Sequence, residues 1–353
     1  MFKNFGYFLI GFIAILISAC KKNETAAVIE PVKVAPTNLV INATVTADGS
    51  GKVAFTAKAD NASFYRFEFG NGETIDEATG VINYRYTDVG TKSYTVTVIA
   101  NSSSGLSISK TKEISVTVDF SKVPPFWSDD FNTNDGIPDP SKWVYDIGKG
   151  SNGWGNAELQ YYTDRAQNVI IEDGVLKIKA KRESFSGSSW TSARLKSLGK
   201  FAFTYGTVIA RAKMPAGVGT WPAIWMLGAD FPTVSWPNCG EIDIAEHVGK
   251  EKDKIFSALH YPGRNGGNAV TASKIISNAT TEFHEYKLDW NASAIKFSVD
   301  GVVYHTVTNS ASIPFNKDFF FLLNLAIGGN FGGPVDPSIN NAVFEIDYIR
   351  VYK

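Results

Sequence analysis

The chain has 353 residues and a nearly balanced charge, with 34 Lys and Arg against 35 Asp and Glu. A net charge of −1 provides no field that attracts nucleic acid, so we expect no nucleic-acid partner. The hydrophobic fraction of 44% excludes wholesale disorder, and two cysteines cannot form a disulfide framework. At about 150 residues per domain, this length predicts one large domain and a smaller one.

The first twenty residues are typical of an export signal. Lys3 precedes an apolar run over residues 7–19, which is shorter than the roughly 20 residues of a membrane-spanning helix. The run ends in Ile17-Ser18-Ala19-Cys20, which resembles a bacterial lipobox. This resemblance implies removal of residues 1–19, a lipid anchor on Cys20 and a flexible tether over residues 20–36. The expected location is the outer membrane or the cell surface, and ordinary secretion with an incidental cysteine is the alternative.

Residues 37–120 alternate between apolar and polar positions, as half-buried strands do. Tyr94, Val96 and Val98, for example, alternate with threonines, and turns rich in glycine separate such runs. The pattern predicts a small Ig-like β-sandwich. The run over residues 65–72 resembles the signature of polycystic-kidney-disease-type (PKD) domains, although Phe67-Glu68 replaces its Trp-Asp and Asn71 replaces its second Asp. The resemblance implies either a rigid spacer or a weak carbohydrate-binding module.

A linker over residues 121–125 contains Val123-Pro124-Pro125, which favours extended backbone. Residues 126–353 then return to strand-like alternation, and Asp300-Gly301 between two β-branched runs indicates a hairpin. The fold class is therefore predicted as all-β, with one large two-sheet sandwich after a smaller one.

Three carboxylates occur close together in the second segment. Glu241 and Asp243 are two residues apart, so on a strand they share a face. Strict alternation would turn Glu246 away, but a one-residue bulge near Ala245 would return it to that face. Crowded carboxylates raise one another's pKa. Glycosidic-bond hydrolysis uses such a group, because one carboxylate attacks the sugar while a protonated one donates to the leaving oxygen.

The segment Glu241-Ile242-Asp243-Ile244-Ala245-Glu246 resembles the signature of glycoside hydrolase family 16. Other motifs resemble the family in the same order along the chain, at residues 156–162, 219–227, 259–263, 324–330 and 345–352. The resemblance implies a concanavalin-like β-jelly-roll and a retaining double displacement that needs no catalytic cofactor. It implies that Glu241 is the nucleophile, that Glu246 is the acid/base and that Asp243 tunes the pair.

Within the family, the motifs around the carboxylates most resemble laminarinases, which cut β-1,3-glucan internally. The implied partner is thus a β-glucan polysaccharide, and we expect a monomer. Two alternatives retain the chemistry on mixed-linkage β-1,3-1,4-glucan or on a sulfated marine galactan. Alternatives from other classes are a non-catalytic glucan-binding surface lipoprotein and a structural adhesin.

The candidate substrate-binding residues are aromatic and polar side chains in these motifs. Tryptophan rings stack on the apolar faces of sugars. Asn156, Glu158 and Gln160 recur at period two, which predicts one polar strand face, and solvated surface is the alternative. Arg194 either donates to sugar hydroxyls or pairs with a structural acid. The full set is Asn156, Glu158, Gln160, Arg194, Trp221, Trp225, Trp236, His260 and Asn324.

The resemblance also implies a structural calcium ion at the far side of the sandwich. Asp130 and Asp347 match the family's carboxylate positions, and Gly174 offers a carbonyl oxygen. Calcium takes about 6–8 oxygen ligands, which these groups and water could supply. Asp130 stands where the family often has Glu, so its reach is shorter.

Overall fold

A computed structural model describes residues 33–132 and 135–353. The predicted export signal, Cys20 and most of the tether lie outside the described residues. None of the helices in those two described ranges is long and apolar enough to cross a membrane.

The N-terminal module, residues 37–120, is a sandwich of two small sheets, as predicted. One sheet has the strand order β1-β2-β5 and the other β4-β3-β6-β7. Alternation explains the core, because Val53, Phe55 and Ala57 of one strand face inward while their neighbours are exposed. The strands are β1 (Thr37–Val45), β2 (Lys52–Asp60), β3 (Phe64–Glu68), β4 (Thr74–Glu77), β5 (Val81–Arg85), β6 (Gly90–Asn101) and β7 (Ser107–Val118).

The C-terminal sandwich begins at Trp127 and contains seventeen strands in the described residues. They are β8 (Trp127–Asp129), β9 (Val144–Tyr145), β10 (Gln160–Tyr162), β11 (Val169–Glu172), β12 (Val175–Phe185), β13 (Ser188–Ser192), β14 (Arg194–Lys196), β15 (Gly206–Lys213), β16 (Thr220–Gly228), β17 (Glu241–His247), β18 (Lys254–His260), β19 (Val270–Ile275), β20 (His284–Trp290), β21 (Ala294–Val299), β22 (Val302–Thr308), β23 (Phe319–Ile327) and β24 (Asn341–Tyr352). Within the part of the chain that the structure describes, helical structure is confined to short segments: Phe120–Lys122, Gly153–Ala157, Gly249–Glu251, Gly266–Asn268 and α1 (Gly329–Gly332).

These strands form two sheets that pack face to face, which confirms the predicted two-sheet sandwich. The site sheet has seven strands in the order β19-β18-β17-β16-β23-β14-β9. The outer sheet has ten strands, with the main order β10-β13-β12-β24-β15-β20-β21-β22 and with β11 and β8 paired to β12 and β24. A continuous apolar core fills the space between the sheets, with Ile242 and Met226 from one and Leu288 and Val208 from the other.

Strand alternation gives each sheet a second face that points away from this core. In β20, Leu288 and Trp290 face the core, whereas Lys287 and Asp289 lie on the opposite face, against the N-terminal module. In β17, Ile242 faces the core and the predicted carboxylates lie on the other face. The carboxylates and the N-terminal module are therefore on opposite outer faces of the C-terminal sandwich.

Candidate active site

Strand β17 brings the three carboxylates to one face through a bulge. Between the pairs Asp243–Ala258 and Glu246–Phe256, β17 has two residues where β18 has one. The pairing of β17 with β16 is shifted at the same place. The extra residue returns Glu246 to the face of Glu241 and Asp243, so the predicted bulge is confirmed.

All three carboxyl groups are poorly solvated, and each has a raised pKa. Burial is the main cause for each group, since Asp243 is only 3% exposed and the Glu241 side chain 17%. The negative charge of Asp243 raises the pKa of Glu241 further, and Glu246 acts in the same way on Asp243. Three charges cannot be held this close together at low cost, so the cluster favours retaining a proton.

Trp221 holds Glu246, the last of the three carboxylates along β17. Its indole Nε1 donates a hydrogen bond of 2.8 Å to Glu246 Oε1, which opposes the burial effect on the Glu246 pKa. The ring of Trp221 meets the edge of Phe331 at 5.6 Å, and Phe331 meets Phe256 at 5.1 Å. These aromatic contacts fix the indole, and therefore the position of Glu246.

His260 lies beside the other two carboxylates. Its Nε2 is 3.2 Å from Asp243 Oδ2 and 3.8 Å from Glu241 Oε1, although the former contact lacks hydrogen-bond alignment. The amide N–H of Gly266 donates to Nδ1 of His260 at 3.1 Å. A neutral imidazole that accepts at Nδ1 carries its proton on Nε2, so this proton lies next to the carboxylates.

The position of the His260 proton on Nε2 also bears on whether Glu241, Asp243 and His260 could hold a metal ion. Glu241, Asp243 and His260 form the one group of three ligand-type side chains within the described ranges whose atoms lie close enough to hold an ion. A ligating histidine must present a free nitrogen and usually donates its other N–H to an acceptor. The Gly266 amide imposes the opposite arrangement, so the cluster fits proton chemistry better than metal binding.

The predicted tryptophans surround the carboxylates at different depths. Trp225 is half-buried, and its Nε1 donates to Asn324 Oδ1 at 2.7 Å. Trp236 is 41% exposed, and its ring centre lies 5.9 Å from that of His260. Trp236 therefore presents an open aromatic surface next to the carboxylates, whereas Trp225 mainly orients its neighbours.

Strand pairing places several predicted residues in one row across the site sheet. Arg194 pairs with Asn324, which pairs with Ala223, which in turn pairs with Glu246. Directly paired residues of antiparallel strands point to the same face. Arg194 and Asn324 therefore share the face of the carboxylates, as predicted from sequence.

Arg194 packs between two aromatic rings on the site face and also pairs with an acid. Its guanidinium lies between the rings of Trp154 and Trp225, at 4.8 Å from each centre. Its Nε is also 3.0 Å from Asp146 Oδ2, which is the structural pairing that the alternative expected. The arginine is thus held in place on the site face. Trp154 and Asp146 were missed from sequence, because neither occurs in a motif that singles it out.

The predicted polar strand face of Asn156, Glu158 and Gln160 is wrong. Asn156 lies in the helical segment Gly153–Ala157, and β10 begins only at Gln160, so the three do not share a strand. Gln160 is completely buried; it donates to Glu158 Oε2 at 2.6 Å and accepts from the Ile327 amide at 2.8 Å. Glu158 and Gln160 are internal supports, and Asn156, which donates to Glu158 Oε1 at 3.2 Å, lies at their edge.

A buried tyrosine joins these supports to the site face. The Tyr162 hydroxyl donates to Glu158 Oε2 at 3.0 Å and accepts from Asn324 Nδ2 at 3.1 Å. Asn324 in turn accepts from Trp225. The network gives each buried polar group a partner and fixes the orientation of the Trp225 indole.

The residues predicted to bind calcium are arranged differently. Asp130 Oδ1 accepts from Arg350 Nε at 2.6 Å, and Asp347 contacts Arg211. Each of these two carboxylates has a guanidinium as its partner, and that positive charge opposes a cation at the same place. The arrangement of Asp130 and Asp347 therefore does not favour calcium, and the ion, with Gly174 as a further ligand, stays a prediction.

Comparison with known proteins identifies the class of protein to which this site belongs. Residues 156–348 match the family model for glycosyl hydrolases family 16. The chain therefore belongs to this family and is a glycoside hydrolase.

Similar proteins include a beta-glucanase of Rhodothermus marinus, which is 41% identical over 243 residues, covering 64% of this chain and 84% of that protein. The solved laminarinase of Rhodothermus marinus has a TM-score of 0.62 at 42% identity and covers 65% of this chain and 97% of its own. The endo-beta-1,3-glucanase of Pyrococcus furiosus has a TM-score of 0.61 at 37% identity, with 65% and 94% covered. The shared region is the C-terminal sandwich.

Proposed function

We propose that this protein is a retaining endo-1,3-β-glucanase that cleaves laminarin-type glucan by double displacement. The observation that carries the proposal is the bulged strand that places Glu241, Asp243 and Glu246 together on one poorly solvated face. The names of the similar beta-glucanase and laminarinase support this choice of substrate.

In the first step, Glu246 donates a proton to the glycosidic oxygen. Trp221 occupies Oε1 of Glu246, which leaves Oε2 to carry the proton, and the raised pKa retains that proton towards neutral pH. Glu241 attacks the anomeric carbon, the bond to the leaving oxygen breaks, and a glycosyl-enzyme forms. The N–H of His260 lies beside Glu241 and opposes the rise of its pKa. We assign Glu241 as the nucleophile because it is the first carboxylate of the family-like signature over residues 241–246.

In the second step, Glu246 acts as the base. It removes a proton from a water molecule that attacks the anomeric carbon, and Glu241 leaves as a carboxylate. The Trp221 hydrogen bond stabilises the Glu246 carboxylate that exists between the two steps. Asp243 lies between the two glutamates and tunes their proton affinity.

Internal cleavage agrees with the position of β17 in the site sheet. Two strands, β18 and β19, lie on one side of it, and four strands lie on the other. At about 4.8 Å per strand, these arms extend roughly 10 Å and 19 Å from the carboxylates. A polysaccharide lying across the strands would thus contact the protein on both sides of the cleaved bond. We propose that Trp221, Trp225, Trp236, Arg194, His260, Asn324 and, at the edge, Asn156 contact it.

The test compares laminarin with mixed-linkage β-glucan, using the chain from residue 20 with the substitution Cys20→Ser. Products are sized over time, and their anomeric configuration is followed by proton NMR. We expect early β-configured oligosaccharides from laminarin. Early α-configured products would contradict a retaining mechanism, and glucan binding without cleavage would favour a non-catalytic binding protein.

We also propose that the protein is exported and lipid-anchored through Cys20 at the outer membrane or the cell surface. The lipobox-like sequence at residues 17–20 supports the anchor, and we expect the protein to be a monomer. Metabolic labelling with a fatty acid should label the native chain but not the Cys20→Ser variant. Equal labelling of both would contradict the anchor.

A further inference from the structure

The apolar core of the N-terminal module continues onto the outer sheet. Ile209 and Tyr352, which belong to β15 and β24, are buried in the same cluster as the module's own core. The ring of Phe120 at the end of the module packs 4.7 Å from that of Tyr352. Ile209 is 6% exposed and Tyr352 3% exposed, so this contact excludes water as an internal core does.

A turn that resembles the PKD signature places an acid into the same interface. The turn at residues 70–73 orients Glu73, whose side chain is only 9% exposed. Glu73 Oε1 accepts from Lys296 Nζ at 2.7 Å, and Oε2 accepts from Asn291 Nδ2 at 2.9 Å. Asn291 is itself fixed, because its Oδ1 accepts from the amides of Ser293 and Ala294 at 2.8 Å each.

A second polar contact joins the N-terminal module to the outer sheet. Lys287 Nζ on β20 donates to the Thr87 carbonyl of the module at 2.7 Å, and it also lies 2.7 Å from Asp289 Oδ2. Asp289 Oδ1 accepts from the hydroxyl of Thr207 at 2.8 Å. Lys287 and Asp289 are buried, and each has a partner, so neither charge is left uncompensated at this contact.

The rest of the module does not offer a surface of the kind that binds polysaccharide. Among residues 33–120, Phe64 is the exposed aromatic side chain, at 36%, and the others are buried in the module's core. A shallow cavity on the outer face of β1 and β2 is lined by Asn38, Val40, Asn42, Thr56, Lys58, Ala59 and Asp60, without an aromatic ring. Sugar recognition usually relies on such rings.

We propose that the N-terminal module is a permanent structural partner of the catalytic sandwich, docked on the outer sheet through Phe120 and Glu73, and not a polysaccharide-binding module. It covers apolar surface that the outer sheet would otherwise expose and places itself on the face opposite the active site. The two sandwiches therefore unfold as one cooperative unit.

The first test is scanning calorimetry of the Cys20→Ser chain. We expect a single transition whose calorimetric and van't Hoff enthalpies agree. Glu73→Ala and Lys296→Ala should each lower the Tm by about 2–4 °C. The double variant should fall little further than either single variant, because both remove the same contact. Phe120→Ala should cause a larger loss, since it removes apolar burial at the same interface.

The control is Arg66→Ala, which breaks an ion pair with Asp76 inside the module, where both side chains are about half exposed. It should shift the Tm by less than about 1 °C. Two separate transitions for the Cys20→Ser chain, or fully additive losses for Glu73→Ala and Lys296→Ala, would overturn the proposal.

A binding measurement tests the other half of the proposal. In an inactive Glu241→Gln background, Phe64→Ala should leave the dissociation constant for a soluble β-glucan unchanged within about twofold. A tenfold weakening would show that the module binds polysaccharide and would overturn the structural role. Calorimetry needs no substrate, so failure of the docking proposal is distinct from failure of the glucanase assignment.

Discussion

The two outer faces of the C-terminal sandwich both hold charged side chains away from water, but they arrange these charges in opposite ways. On the outer sheet, under the N-terminal module, each buried charge faces an opposite one. Lys287 contacts Asp289, and Glu73 of the module contacts Lys296. Removing one partner there would leave an uncompensated charge.

On the site sheet, charges of the same sign lie together. Within the described residues, no Lys or Arg lies within ion-pair distance of Glu241, Asp243 or Glu246; only His260 does so for the first two. Such crowding reduces stability, and a purely structural surface gains nothing from it. This difference is what we expect if the site sheet carries the proposed chemistry and the outer sheet serves packing.

The largest effect that can test this comparison is removal of the nucleophile. Glu241→Gln should lower kcat/KM on laminarin by at least about 10⁴-fold, because no glycosyl-enzyme can form. Far-UV circular dichroism should be unchanged. The control is Glu172→Gln, an outer-sheet glutamate paired with lysines, which should retain nearly full activity. Near-normal turnover of Glu241→Gln would refute its assignment as nucleophile.

A smaller loss and a changed pH profile are expected for the acid/base. Glu246→Gln should lower kcat by about 10²–10⁴-fold. Glu246 must be protonated to donate, and its raised pKa extends activity towards higher pH, so activity of the native enzyme should fall as pH rises through that pKa. The variant should lose this alkaline decline. Initial rates on laminarin between pH 4 and 9 check it, and an unchanged alkaline decline would contradict the role.

The smallest expected effect is a change in thermal stability. Neutralising one buried aspartate should change the Tm in opposite directions on the two outer faces. Burial and Glu246 raise the pKa of Asp243 in the folded protein. The folded state therefore binds more protons than the unfolded chain, and the charge of Asp243 costs stability above its folded pKa but not below its unfolded pKa. Asp243→Asn should raise the Tm at pH 7 by about 2–4 °C and by less at pH 4.

The matched variant on the outer sheet is Asp289→Asn, which leaves Lys287 without its partner. It should lower the Tm at pH 7 by a similar amount. Thermal unfolding of both variants at both pH values checks the pair. If the two shifts have the same sign, the contrast between the faces does not hold.

Sequence reasoning was most successful where the signal is local. The two-residue period predicted the strands, and the spacing of Glu241, Asp243 and Glu246 predicted the bulge, because the direction of a side chain along a strand follows from its position. It failed for Asn156, Glu158 and Gln160, since a period of two has no meaning where the chain forms a helical segment before the strand begins.

The family, the all-β architecture and the three candidate carboxylates follow from the amino-acid sequence, since each depends on short motifs and local alternation. How these parts are supported depends on tertiary packing. Glu73 and Lys296 are 223 residues apart in the sequence, and Asp130 and Arg350 are 220 apart. No local sequence pattern predicts contacts between residues so far apart. Long-range contacts depend on how whole sheets pack, so the pairing of Asp130 and the docking of the N-terminal module appear only in the folded chain.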